Sequence, residues 1–210
     1  SIGSPDQPAA VSVDEVLARA GDQVALVLDD GRTRFAQPAT AVQVQGHEFH
    51  VVRPGVLNEL TLKRLASYML LFVCTGNTCR SPMAESLARK RVAERLQCPP
   101  HEIEDRGVCV MSAGIAAMAG GRATTEAHDA VHALGCDLTQ HESQPVSDRL
   151  VRFADLILTM TRGHREALIG QWPDAADRTR LLHRGNGDVA DPIGGPAEVY
   201  RRCAEQIDSQ

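Results

Sequence analysis

The chain has 210 residues, 43% of them hydrophobic, a net charge of −5 and a pI of about 5.9. That supplies apolar material for one domain of ordinary size plus a smaller piece, and it lacks the basic footprint of a nucleic-acid-binding protein. Six cysteines, at 74, 79, 98, 109, 136 and 203, are too dispersed for a small disulfide scaffold and read as reduced thiols of a cytoplasmic protein.

The chain opens on Ser1 rather than methionine, as a fragment or trimmed chain would, and no charged-then-apolar leader is visible. Residues 1 to 7 read as extended. Val13 to Ala20 reads as a helix capped by Ser12 and stopped by Gly21, followed by a strand from Gln23 to Leu28 and a turn at Asp29-Asp30-Gly31. Thr40 to Gln45 and Glu48 to Arg53 form an expected hairpin around Gly46, and Leu57 to Ser67 reads as a helix. This is a small mixed α+β appendage, with a boundary near Ser67 separating residues 1–66 from 67–210.

Tyr68 to Val73 is an unalternating apolar run, as in a strand buried on both faces, and is far too short to cross a bilayer. Ser81 can cap the helix that follows, Pro82 suits its first turn, and Met83, Leu87, Ala88 and Val92 give it an apolar stripe. Between strand and helix lies Cys74-Thr75-Gly76-Asn77-Thr78-Cys79-Arg80. A tight loop of this length turns its backbone N–H groups toward one point, and the helix N-terminus adds a positive end, so the point is an anion site. The same environment favours the thiolate of Cys74, a nucleophile toward phosphorus, while the planar fork of Arg80 matches two phosphate oxygens. The loop is therefore expected to bind a phosphoryl group and accept it covalently. Zinc ligation by Cys74 and Cys79 would need a closer pair and further ligands at matching distance, and no metal or other cofactor is expected.

Downstream, Arg106 to Ser112 reads as a second strand ended by Gly114, Thr124 to Leu134 as a helix closed by Gly135, and Asp155 to Met160 as a third strand. Arg162 to Ile169 is an expected helix, Thr179 to His183 a fourth strand, and Glu198 to Ile207 an amphipathic closing helix. Strands alternating with helices imply an α/β fold, a four-stranded parallel sheet with helices on both faces. His128 and His132, four apart on one helix, read as a solvated polar face. Asp191 precedes Pro192 in a Gly-rich segment (Gly185, Gly187, Gly194, Gly195) and can protonate a leaving group.

Phe72 to Glu85, with Cys-Thr-Gly-Asn-Thr-Cys-Arg-Ser-Pro-Met-Ala-Glu at its centre, resembles the signature of the low-molecular-weight protein tyrosine phosphatase family, and Asp191-Pro192 resembles its second motif. The resemblance covers about residues 68 to 208 and implies a flavodoxin-like fold and a cysteine phosphatase acting on phosphorylated protein, inhibited by phosphate or vanadate. It implies Cys74 as nucleophile, Arg80 as phosphate ligand and Asp191 as general acid. Ser81 resembles the hydroxyl that steadies the thiolate; Asn77, Ser112 and His141 resemble the network that holds the loop in shape. Thr78 resembles the bacterial protein arginine phosphatases, as do the runs Arg162-Gly163-His164 and Gly187 to Gly195. Ile193 stands where tyrosine-directed members often present an aromatic wall. Phosphoarginine is thus slightly favoured over phosphotyrosine. Cys79, close to Cys74 in the loop, is expected to intercept an oxidised nucleophile as a disulfide.

Two other readings stand beside this one. An arsenate reductase of the same fold would need relay cysteines after the third strand, and Leu158 to Arg162 has none. A phosphate-binding module without turnover would not need Cys74, Arg80 and Asp191 together. The appendage has a resemblance of its own. Pro8-Ala9-Ala10, Glu15-Val16, Leu26 to Gly31, Pro38-Ala39-Thr40 and Val52-Arg53-Pro54-Gly55 resemble the end of a threonylcarbamoyl-adenylate synthase domain, while Ser1-Ile2-Gly3 departs from that family's pattern. The basic nucleotide-binding motifs of that family have no counterpart here, which implies an inactive packing remnant.

Overall fold

The computed structural model describes Pro8, Ala10 to Gly46 and Glu48 to Gln210; the expected extended start, residues 1 to 7, lies outside that set. The chain divides after Lys63 into two compact units. Among the described residues no helix is long and apolar enough to cross a membrane.

In the first unit, α1 (Val13–Ala20) begins where Ser12 accepts the Glu15 N–H, the expected cap. β1 (Ala41–Gln45) and β2 (Glu48–Arg53) pair antiparallel beside Gly46, whose φ of +62° suits glycine. Gly31 donates to Asp29 Oδ1 at 2.9 Å and has φ +85°, so the expected turn is present. The strand expected from Gln23 to Leu28 is absent. Gln23 closes a 3₁₀ turn, no ladder forms along 24–28, and Leu26 and Leu28 are 75% and 87% exposed. An apolar run without a partner strand or a covering layer gains nothing from extension. Among the described residues of this unit only Val11 is a buried apolar side chain. α2 (Glu59–Ala66) spans the point of division.

The second unit is built on β3 (Tyr68–Cys74), β4 (Val108–Gly114), β5 (Leu156–Thr159) and β6 (Thr179–Leu181), parallel throughout in the order β4-β3-β5-β6. Side chains of β3 alternate between two cores. Phe72 and Cys74 face the core formed with α3 (Arg80–Leu96), α4 (Thr125–His132) and α7 (Ala197–Asp208), where Met83, Val131 and Tyr200 are buried. Leu71 and Val73 face the other core, with Val151 of α5 (Asp148–Phe153) and Leu168 of α6 (Arg162–Gln171). Burial on both faces is why β3 reads as one apolar run. Because β4 and β5 lie on opposite sides of β3, the strand order reverses there, and the crevice beyond the end of β3 is the binding position of an open α/β sheet.

Several boundaries move by one or two residues, two of them as follows. β4 starts at Val108 rather than Arg106, since Gly107 has φ +78° and Arg106 closes a turn onto Glu102 and Ile103. β6 ends at Leu181, before the segment that carries Asp191.

Candidate active site

The loop from Cys74 to Arg80 joins the end of β3 to the start of α3. Asn77 makes the reversal with φ +54°, a left-handed conformation that asparagine tolerates better than most residues. Its backbone N–H donates to Cys74 Sγ at 3.2 Å, and Ser81 Oγ lies 3.0 Å from the same sulfur. Ser81 is not the helix cap expected of it. α3 begins two residues earlier, with Cys79 at the N-cap, and that offset turns the Ser81 hydroxyl inward to the sulfur and to Ala113 O at 3.3 Å. No side-chain cap closes the first turn, so its amides and the helix dipole face the loop.

A buried network fixes this shape. Asn77 Nδ2 donates to Ser81 Oγ (2.9 Å) and to Ser112 Oγ (2.8 Å), and the Ser112 hydroxyl in turn donates to Glu85 Oε2 at 2.6 Å. Asn77 Oδ1 accepts from Gln144 N (2.9 Å), and Asn77 O lies 2.8 Å from His141 Nε2. Asn77 itself is fully buried. Gly114 at the end of β4 closes the floor. A Cβ there would stand 2.5 Å from Thr75 O and 2.8 Å from Asn77 N, so the loop rests directly on backbone. Thr78 O accepts from Thr124 N at 2.9 Å, while Thr78 Oγ1 lies 3.7 Å from Cys79 Sγ. Gly76 has space on its Cβ side, with Thr78 Oγ1 the nearest atom at 3.5 Å.

Arg80 is buried and its guanidinium reaches three partners: Val189 O at 3.2 Å, Thr75 Oγ1 at 3.4 Å and, as an ion pair, Asp191 Oδ2. Asp191 is exposed, and its other oxygen accepts from Ile193 N at 3.3 Å. Ile193 is 65% exposed. The sulfur, the arginine fork and the carboxylate expected from sequence are thus assembled at the end of β3. Cys79 points into the helical side, 3.6 Å from Thr124 Oγ1 and 3.7 Å from Tyr200 OH. Cys203 lies under Ala190 (3.8 Å), and burial pushes its thiol up to about 12, so it stays protonated.

The profile of the low molecular weight phosphotyrosine protein phosphatase family matches residues 69–210. The chain belongs to that family. It is similar to the protein-arginine-phosphatase of Geobacillus stearothermophilus, 38% identical over 146 residues, which are 68% of this chain and 90% of that one. The low molecular weight protein-tyrosine-phosphatase PtpB of Staphylococcus aureus is 33% identical over 142 residues, 66% of this chain and 90% of its own. Among solved structures, a cysteine-to-serine mutant of the YwlE arginine phosphatase with a phosphorylated active site serine aligns with TM-score 0.59 and 36% identity, covering 67% of this chain and 89% of that one.

Several contacts of this hydrolase were not assigned from its sequence. His164 reaches Thr75 Oγ1 with Nε2 at 2.8 Å, Glu85 and Gln144 complete the Asn77 network, and the Val189 carbonyl holds Arg80. Glu85 stood inside the signature and His164 in the run Arg162-Gly163-His164, but neither position said what the side chain touches. His128 and His132, away from these residues in sequence, stack at 5.8 Å, with His128 Nε2 3.3 Å from Asp137. No group of three potential metal ligands occurs among the described residues.

Proposed function

We propose that the chain hydrolyses phosphorylated protein side chains through a cysteinyl-phosphate intermediate and favours phosphoarginine over phosphotyrosine. The observation that carries the chemistry is the convergence of Cys74, Arg80 and Asp191 on one end of β3, with the sulfur receiving the Asn77 N–H. In this reading Cys74 Sγ attacks phosphorus, while the loop amides of Thr75 to Ser81 and the Arg80 fork hold the remaining oxygens. The entering phosphoryl group replaces Asp191 on Arg80. Released from Arg80, the Asp191 carboxylate takes a proton from solvent and gives it to the departing nitrogen or oxygen, then takes one from the water that cleaves the sulfur–phosphorus bond. Ser112 and His141 keep the loop in shape, and inorganic phosphate or vanadate inhibits by occupying it.

Phosphoarginine is supported by Thr78 in the loop, by an exposed aliphatic Ile193 beside the acid, and by the name of the Geobacillus relative. The name of the staphylococcal relative keeps phosphotyrosine as the second substrate. The test compares kcat/KM on phosphoarginine and phosphotyrosine peptides. Wild type should prefer phosphoarginine by about tenfold, and Thr78→Ile should reverse the ratio. Equal rates in wild type with an unchanged ratio in the variant would return the assignment to tyrosine.

We read Cys79 as the thiol that intercepts oxidised Cys74, in a cytoplasmic protein whose six cysteines are all free. Peroxide inactivation should be reversed by dithiothreitol in wild type and become irreversible in Cys79→Ser; full recovery of that variant would remove the role. Residues 67–210 then form the catalytic domain, and residues 1–66 an inactive remnant resembling a threonylcarbamoyl-adenylate synthase.

A further inference from the structure

His164 is a buried titratable group that the chemistry above does not use. It occupies the first turn of α6, where its backbone N–H is held by Thr161 Oγ1 at 3.2 Å, so its position is set by a capped helix rather than by a loose loop. The residue is 9% exposed, and its ring reaches Thr75 Oγ1 with Nε2 at 2.8 Å, while Nδ1 is buried without a partner. Thr75 Oγ1 also accepts from Arg80, because a guanidinium only donates.

Two tautomers are possible for this ring, and they differ in what they bury. With the proton on Nδ1, an N–H donor would be buried with nothing to receive it. With the proton on Nε2, Nδ1 is a bare acceptor, the milder defect of the two. The charged groups around the ring agree with a neutral form. Burial first, and then the nearby Arg80, hold the imidazole below its ordinary range, against Asp191 and Asp188, which act in the opposite direction. A neutral ring with its proton on Nε2 donates to Thr75.

We propose that His164 is a positioning residue for the anion site: its Nε2–H and the Arg80 guanidinium fill both acceptor positions of Thr75 Oγ1, leaving the Thr75 hydroxyl proton to donate to an oxygen of the bound phosphoryl group. Thr75 then acts as an oriented phosphate ligand in the loop, supplied by α6 from across the site. This deepens the phosphatase reading and rests on it.

The test measures sulfate binding to the full chain by calorimetry, since sulfate keeps its double charge across the working pH range and does not turn over. Thr75→Val and His164→Ala should each weaken sulfate about tenfold, the equivalent of one hydrogen bond to a charged group. The double variant should bind no worse than either single one, because both remove the same donor. His164→Gln, which can present an N–H to Thr75, should stay within about threefold of wild type, whereas His164→Glu, an acceptor that captures the Thr75 proton, should resemble His164→Ala. In steady-state kinetics the losses should fall on KM, with kcat nearly unchanged, as for binding shared by ground and transition states. Multiplying losses in the double variant, or a glutamine variant no better than alanine, would overturn the proposal. Should His164→Ala fail to fold, Thr75→Val and His164→Gln decide: unchanged sulfate affinity in Thr75→Val overturns the proposal. Turnover of wild type on a nitrophenyl phosphate tests the phosphatase reading separately.

Discussion

The loop from Cys74 to Arg80 and the segment from His183 to Gly195 meet over the same strand end, yet they are held in opposite ways. In the first, the amide, side-chain oxygen and side-chain nitrogen of Asn77 are all engaged, and its partners come from β3, β4, α3 and the segment holding Gln144. In the second, Val189 is the buried anchor, donating to Met160 O at 2.8 Å and accepting from Arg80, and Asp188 accepts from Arg162 N at 2.9 Å. Beyond Val189 the chain is mostly exposed, and Asp191 is held by Arg80 and by its own turn. A site for charge developing on phosphorus gains most when its donors are fixed before the substrate arrives. In the proposed reading Asp191 is a proton donor that has to follow the leaving group, and its partner Arg80 is the very group a phosphoryl oxygen would take.

This contrast predicts where substitutions act. Arg80→Lys keeps the charge but loses the fork shared by Val189, Thr75 and the anion, so kcat/KM should fall about 10²–10³-fold on every substrate. A fall of less than about threefold would make Arg80 a structural residue. Asp191→Asn should discriminate instead: about 10²-fold slower on substrates with poor leaving groups, but less than about tenfold slower on an activated nitrophenyl ester that needs little protonation. Equal slowing of both would remove Asp191 as the acid and weaken the comparison itself. Asn77→Ala should act through rigidity. It leaves Ser81 and Ser112 without their buried donor and Gln144 N without its acceptor, which should cost about 2–4 kcal/mol in urea unfolding. Asp191→Asn should leave that midpoint nearly unchanged, because the carboxylate is exposed. If the two variants unfold alike, the anion loop is no better braced than the acid segment.

The anion loop was legible in sequence because its logic is local. An apolar strand, residues tolerant of positive φ, and a helix start follow one another within a few positions, and Cys74, Asn77, Arg80 and Ser81 all belong to that run. Ser112 and His141 came from the family resemblance, and the structure brings both into hydrogen-bonding distance of Asn77. His164 and the Val189 carbonyl were out of reach, since each depends on how α6 and the segment holding Val189 come to the end of β3, which no local pattern records. The missing strand at 24–28 fails for the same reason in reverse: alternation or apolar content proposes a strand, but only a partner ladder makes one. The helix start was misplaced by two residues, within the usual uncertainty of a helix end, and here that offset decides whether the Ser81 hydroxyl caps the helix or faces the Cys74 sulfur.

The central claim is that Cys74 takes the phosphoryl group. Rapid quenching of wild type turning over a nitrophenyl phosphate, followed by peptide mass spectrometry, should find one phosphoryl group on the peptide containing Cys74. Cys74→Ser should lose turnover by at least about 10³-fold while still binding sulfate. Unmodified Cys74 in the quenched wild type, together with residual activity of Cys74→Ser above a few per cent, would contradict the account.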